Sequence, residues 1–177
     1  TEVTGKVEME YAKSSSIDMS NTTTIGKSLN IHDNYDTESI DFSALTNIGQ
    51  GLTLSNNRDL STLTIPNLDA VEGQVYLTSH SNLEAFSAPS LRLIEGSLQI
   101  NSNSGIEEVM LDNLAEIEGE LRMDWNNEVQ TLNMPNLTKL SGQLYLYYNQ
   151  KLETLNISAL QEIESSLYIE QNQMLET

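Results

Sequence analysis

The chain has no cysteine, only three prolines, and eight basic residues against 26 acidic ones. Aromatic residues make up 6% of its 177 positions. Each shortage excludes something. Without cysteine there is no disulfide scaffold and no thiolate metal site, although compartment stays open. No apolar run reaches the roughly 18 residues of a membrane-spanning helix, so direct membrane insertion is not expected. The formal net charge of −18 disfavours nucleic acid and anionic membrane as partners. It fits a solvated acidic surface with, at most, a loose cloud of counter-ions. No charged, then apolar, then small-residue pattern opens the chain, so a secretory signal is expected to be already removed or never present. What remains is 38% hydrophobic and evenly spread. That argues for one folded domain with a substantial core.

The even spread comes from a repeat, which decides the fold class before any local propensity does. From Gly26 the same pattern returns every 23 residues, at Gly49, Glu72, Glu95, Glu118, Ser141 and Glu164, without insertion or deletion. Six regular units fill 26–163, and an incomplete one fills 164–177. Residues 4–25 fit as a degenerate unit if one residue is deleted, with Val7 and Met9 in its strand. We therefore expect a single repeat domain over 1–177. The final unit stops midway, which implies a shortened chain or one that continues elsewhere, with an apolar layer left uncapped.

Columns of the repeat carry the physics. The fourth position reads Leu29, Leu52, Val75, Leu98, Leu121, Leu144, Leu167. The sixth reads Ile31, Leu54, Leu77, Ile100, Met123, Leu146, Ile169. Alternation with period two marks a strand with one buried face. A second alternating pair follows, as in Leu63 and Ile65 or Val109 and Leu111. No unit has an apolar stripe at helical spacing. Pro66, Pro89 and Pro135 share one column, where a fixed φ suits a corner with no ladder hydrogen bond to lose. One such coil cannot bury its own apolar side, but a parallel in-register stack can. The ninth column reads Asn34, Asn57, His80, Asn103, Asn126, Asn149, Asn172. Stacked amides both donate and accept, so a buried asparagine ladder satisfies itself. His80 is expected to stand in that ladder as a neutral imidazole.

The run L-x-L-x-x-N-x-x-L, as in Leu144-Leu146-Asn149-Leu152, resembles the leucine-rich-repeat strand. The longer pattern I-x-G-x-L-x-I-x-x-N-x-x-L-x-x-L-x-x-P-x-L is similar to the receptor L-domain type of repeat. It is most similar to that of fungal glycosylphosphatidylinositol-anchored cell-wall proteins, and related repeats occur in bacterial surface proteins. The resemblance covers 26–177 well and 4–25 weakly. It implies an all-β, right-handed parallel β-solenoid with essentially no helix, and an extracellular, cell-surface or cell-wall setting. The capping cysteines common in those families are absent here, and no C-terminal anchor signal is visible.

Outward positions on the first strand are the third, fifth, seventh and eighth, because the fourth, sixth and ninth face the core. Tyr76, Tyr145 and Tyr168 fall in the fifth column, Tyr147 in the seventh, Trp125 and Tyr148 in the eighth. The sole tryptophan and five of seven tyrosines thus share one outward face. Parity excludes a core role. Either these rings pack across the ladder as strand-favouring residues, or they form a contact surface. Arg122 and Asp124 lie on the same face and would add directional hydrogen bonds. These eight residues are the expected ligand-binding set.

Other chemistry is weakly supported. His32 and His80 occupy different columns. No nucleophile elbow, phosphate loop, zinc motif, dinucleotide fingerprint or calcium loop occurs, so no enzyme, cofactor or metal site is expected. Glutamates stack at the first position (Glu72, Glu95, Glu118, Glu164) and at the thirteenth (Glu38, Glu84, Glu107, Glu153, Glu176). Sequons at Asn21, Asn136 and Asn156 are glycosylation candidates and fit a secreted glycoprotein. The expected function is a non-catalytic surface module that binds glycan or protein through its aromatic face. A spacer or end-to-end assembly unit, monomeric when dilute but able to stack, is the alternative. An ice-binding surface is weaker, because a repeated threonine column is lacking.

Overall fold

The computed structural model describes residues 1–175, so Glu176 of the thirteenth-position column lies outside the described residues. All described regular structure is β-strand, in parallel ladders. The longest ladder stacks eight four-residue strands: Val7–Glu10, Leu29–His32, Leu52–Ser55, Val75–Thr78, Leu98–Asn101, Leu121–Asp124, Leu144–Tyr147 and Leu167–Glu170. We number the coils 1 to 8 by these strands. Residues 23 apart face one another across each step, as Leu98 faces Leu121 and Gln99 faces Arg122. Between coils 1 and 2 the offset is 22, with Val7 opposite Leu29. It becomes 23 at Ile17 opposite Ile40. The deleted residue of the degenerate coil therefore lies between Glu10 and Ser16.

A second ladder of eight two-residue strands, from Glu2–Val3 to Glu162–Ile163, forms another side of each coil. A third is built from three-residue strands and breaks once. Ser16–Asp18 pairs only with Ser39–Asp41, and the five strands from Thr62–Thr64 to Thr154–Asn156 form a separate sheet. The break opens a shallow cleft of about 330 Å³ floored by Ile40 and Phe42.

The alternation seen in the sequence is the burial pattern. Leu52, Leu54, Leu98, Ile100, Leu121 and Met123 are all buried, and the residues between them are only partly covered. The three prolines sit in turns between strands. Beside each proline column a second ladder closes the corner. Asn67 donates to Ser43 O (2.7 Å), Ser90 to Pro66 O (2.7 Å), Asn113 to Pro89 O (2.7 Å) and Asn136 to Asp112 O (2.7 Å). Each bond satisfies a carbonyl that no strand partner reaches.

The repeated glycine is needed for close approach. No glycine has positive φ. A Cβ on Gly96 would lie 2.6 Å from Gln74 N and 2.6 Å from Gly73 C, both main-chain atoms of the coil before. Main chain at that distance cannot yield as a side-chain tip can. Gly96→Ala should therefore destabilise by about 1–3 kcal/mol in urea denaturation. Gly5→Ala, where a Cβ meets nothing within 4 Å, should be neutral. Equal behaviour of the two would mean the coils can spread at no cost.

Candidate functional site: an aromatic face on the longest ladder

The backbone makes this face wider than strict alternation allows. After each four-residue strand, the eighth position turns left-handed. Trp125 has φ 59° and Tyr148 φ 56°, and Asp33, Asn56, Ser79, Ser102 and Gln171 do the same. One left-handed residue resets the alternation. Positions seven and eight both point outward, and position nine returns to the core. Such a φ costs a non-glycine residue on the order of 1–2 kcal/mol.

The ninth-position asparagine holds that kink in place. Asn126 donates to Ile100 O (2.7 Å) and Asp124 O (3.2 Å), and its Oδ1 accepts from Asn103 N (3.0 Å). The amides also bond to each other, Asn103 to Asn126 (3.2 Å) and Asn126 to Asn149 (3.3 Å). His80 is in the chain as expected. Its Nε2 faces Asn57 Nδ2 (3.3 Å) and its Nδ1 faces Asn103 Oδ1 (3.0 Å). Since an amide nitrogen only donates, Nε2 accepts and Nδ1 carries the proton. Coil 1 has no asparagine here, and Ala12 N donates to Asn34 Oδ1 (2.8 Å) to start the ladder.

On this scaffold five rings make one continuous cluster. Tyr145 and Tyr168 stack with centroids 4.8 Å apart and planes 5° from parallel. Trp125 lies on Tyr148 at 4.2 Å. Tyr147 bridges the two stacks, 5.9 Å from Trp125 and 6.5 Å from Tyr168. Trp125 is 45% exposed and Tyr168 39%, and the other three rings are half-buried by their neighbours. Arg122 adds a cation to the first stack, with its guanidinium carbon 4.6 Å from the Tyr145 centroid.

Two of the eight expected residues stand differently from the rest. Tyr76 shares the fifth column, but Gln99 and Arg122 separate it from Tyr145 along the ladder. Asp124 points to this face yet is only 6% exposed, because it is enclosed by its neighbours. It pairs with Arg122 Nη2 at 2.9 Å, and Asn101, with its amide turned to satisfy its surroundings, donates to it as well. The hydrogen bond from Arg122 to Asp124 raises the Arg122 pKa further above its ordinary value. At the edge of the cluster Glu170 accepts from the Tyr168 hydroxyl, which pushes the Tyr168 pKa up to about 12 and keeps it a donor. The reading of the sequence missed Asn101 and Glu170, because ordinary outward polar residues carry no signal of their own. It also missed Tyr11, which takes the same left-handed eighth position in coil 1, far from the cluster.

The other candidates fall apart spatially. His32 sits in the first coils, 3.1 Å from Asp33, while His80 is buried in the ladder. The described glutamates of the first and thirteenth columns are exposed. Among the described residues no cluster of His, Asp and Glu could hold a metal. Asn21 and Asn136 are exposed, and Asn156 is half-buried with its amide donating to Asn133 Oδ1 (2.7 Å).

The profile of one family, the Receptor L domain, matches residues 67–177, more than half the chain. The chain belongs to the Receptor L domain family. The matched span takes in every ring of the aromatic cluster and leaves out coils 1 and 2 and the long strand of coil 3. Membership gives the coarse function, a ligand-binding or recognition module within a family of non-enzymatic binding domains. No curated protein and no solved structure matches the chain.

Proposed function

We propose that this Receptor L domain works at the cell surface or outside the cell, and binds a glycan or protein partner through Trp125, Tyr145, Tyr147, Tyr148 and Tyr168, without catalysis. The observation that carries this reading is the continuity of five rings over three adjacent coils, all outside the core. A patch of this kind on a regular sheet offers rigid, amphipathic contact area at low entropic cost. The sequons fit the same setting, as does the resemblance to fungal wall proteins.

The test is the double variant Tyr147→Ser, Tyr148→Ser. Its stability should fall by only about 1 kcal/mol per site, since outward strand positions lose propensity and ring contacts but no core. Binding on a glycan array or in a cell-surface pull-down should fall by most of its strength, because aromatic anchors dominate interface energy. Unchanged binding would remove the face from the interface. A variant that unfolds in mild denaturant would show that the rings serve packing.

A further inference from the structure

Contacts along the solenoid axis cover several ring faces in the cluster. Tyr145 is covered by Tyr168 on one side and by the Arg122 guanidinium on another. Trp125 gives one face to Tyr148. On the other side along the ladder, in coil 5, its column-mate is the small, exposed Ser102. No ring covers it from that side. Beyond Ser102 the same column continues as Ser79 and Asn56, and the seventh column beside it reads Asn101, Thr78 and Ser55. The face therefore has a step. At the seventh and eighth positions coils 3 to 5 form a low floor of hydroxyls and amides, with Tyr76 beside it at the fifth position of coil 4, and Trp125 is the wall at its end.

The chemistry of the step selects a ligand class. A free indole face binds the apolar C–H face of a flat saturated ring, and the floor supplies uncharged donors and acceptors. The charge excludes acidic variants of such a ligand. In coils 3 to 8 the cations are Arg58, Arg92, Arg122, Lys139 and Lys151, and each is already held by a carboxylate, of Asp59 (2.9 Å), Asp69 (2.6 Å), Asp124 (2.9 Å), Glu116 (2.6 Å) and Glu128 (2.5 Å). With a net charge of −18 around it, the step repels a uronate or sulfated sugar. We infer that the step between Trp125 and Ser102 is a subsite for a neutral pyranose unit of a glycan that lies along coils 3 to 5. This rests on the aromatic-face reading and narrows it to one ligand class.

Trp125 is the only tryptophan, so its fluorescence reports the subsite directly. Neutral oligosaccharides of glucose, mannose and N-acetylglucosamine should be titrated alongside oligogalacturonate. At least one neutral sugar should shift the emission saturably and equally in low and high salt, and the oligogalacturonate should not. Ser102→Tyr should weaken that sugar by about tenfold or more. The new ring fills the floor and covers the free face, at a position type that already carries Tyr148 and Trp125. No response to any neutral sugar, an equal response to the uronate, or undiminished sugar binding by Ser102→Tyr would each overturn the inference. If a purified protein partner instead loses binding with the Tyr147, Tyr148 double variant but not with Ser102→Tyr, the aromatic face stands and the glycan subsite falls.

Discussion

Asn126→Asp should cost about 3–5 kcal/mol near neutral pH, far more than one atom suggests. Asn126 is fully buried. Its oxygen accepts from Asn103, a role that an aspartate oxygen fills equally well. Its nitrogen faces three acceptors, Ile100 O (2.7 Å), Asp124 O (3.2 Å) and Asn149 Oδ1 (3.3 Å). A second carboxylate oxygen there meets only lone pairs, in a site without a cation. The damage should shrink in acid, because a protonated carboxyl can donate one of the lost bonds. Urea denaturation of the variant and the wild type at two pH values measures both effects. A difference under about 1 kcal/mol would mean that water or rearrangement satisfies the site and that the ladder adds little. The same substitution at Asn67, whose amide caps an exposed corner, should cost much less.

The reach of the sequence can be judged from the same column. A repeat without insertions samples each structural position six or seven times, so a column that tolerates almost nothing but asparagine is visible without any structure. The strands, the core and the one-residue irregularity of the first coil were legible for that reason, and the strand register then placed it between Glu10 and Ser16. The left-handed turn at the eighth position was not. Its occupants run from Ser102 through Trp125 to Gln171, and none is the glycine that usually announces such a φ. In six of the eight coils the asparagine that follows secures the turned chain from inside, while Tyr11 before Ala12 and Ser79 before His80 take the same turn without it.

The aromatic face was legible by parity alone. Parity says which side a ring is on, but not which way its plane faces. Sequence could place Tyr145 and Tyr168 in one column. It could not show that they eclipse each other's faces, or that Trp125 meets no ring from coil 5. The burial of Asp124 was hidden for a similar reason. It depends on Arg122 folding back across two positions of the same strand, and a charged pair at that spacing is commonly splayed into solvent. The break in the third ladder beside Phe42 had no sequence signal, and its column reads as regular as the others.

His80→Asn should stabilise the protein, and the gain should grow as pH falls. A neutral imidazole has one donor and one acceptor. It continues the chain from Asn57 to Asn103, but it has no oxygen for Asn57 N–H and no second N–H for Leu54 O. In the other coils an asparagine serves both groups, as Asn126 serves Asn103 N and Ile100 O. Restoring them should contribute about 1–3 kcal/mol near neutral pH. Burial pushes the His80 pKa down to about 4, against an ordinary value of 6.5. The unfolded chain therefore takes up the proton first as pH falls. The stability tied to neutral His80 is complete above about pH 6.5, declines below it, and has lost about 3 kcal/mol by pH 4. His32 works in the opposite sense. Its pKa is raised, chiefly by the hydrogen bond to Asp33, so its contribution is present in acid and fades as pH rises. Carboxylates titrate in the lower part of the same window. They and His32 are common to both proteins, so the wild type minus His80→Asn difference cancels them and leaves His80. Denaturant midpoints measured from about pH 8 to 4 should keep a constant offset down to about pH 6.5 and diverge below it. Parallel curves would show that His80 is protonated in the folded ladder or reaches solvent, and the neutral imidazole assigned to coil 4 would then be wrong.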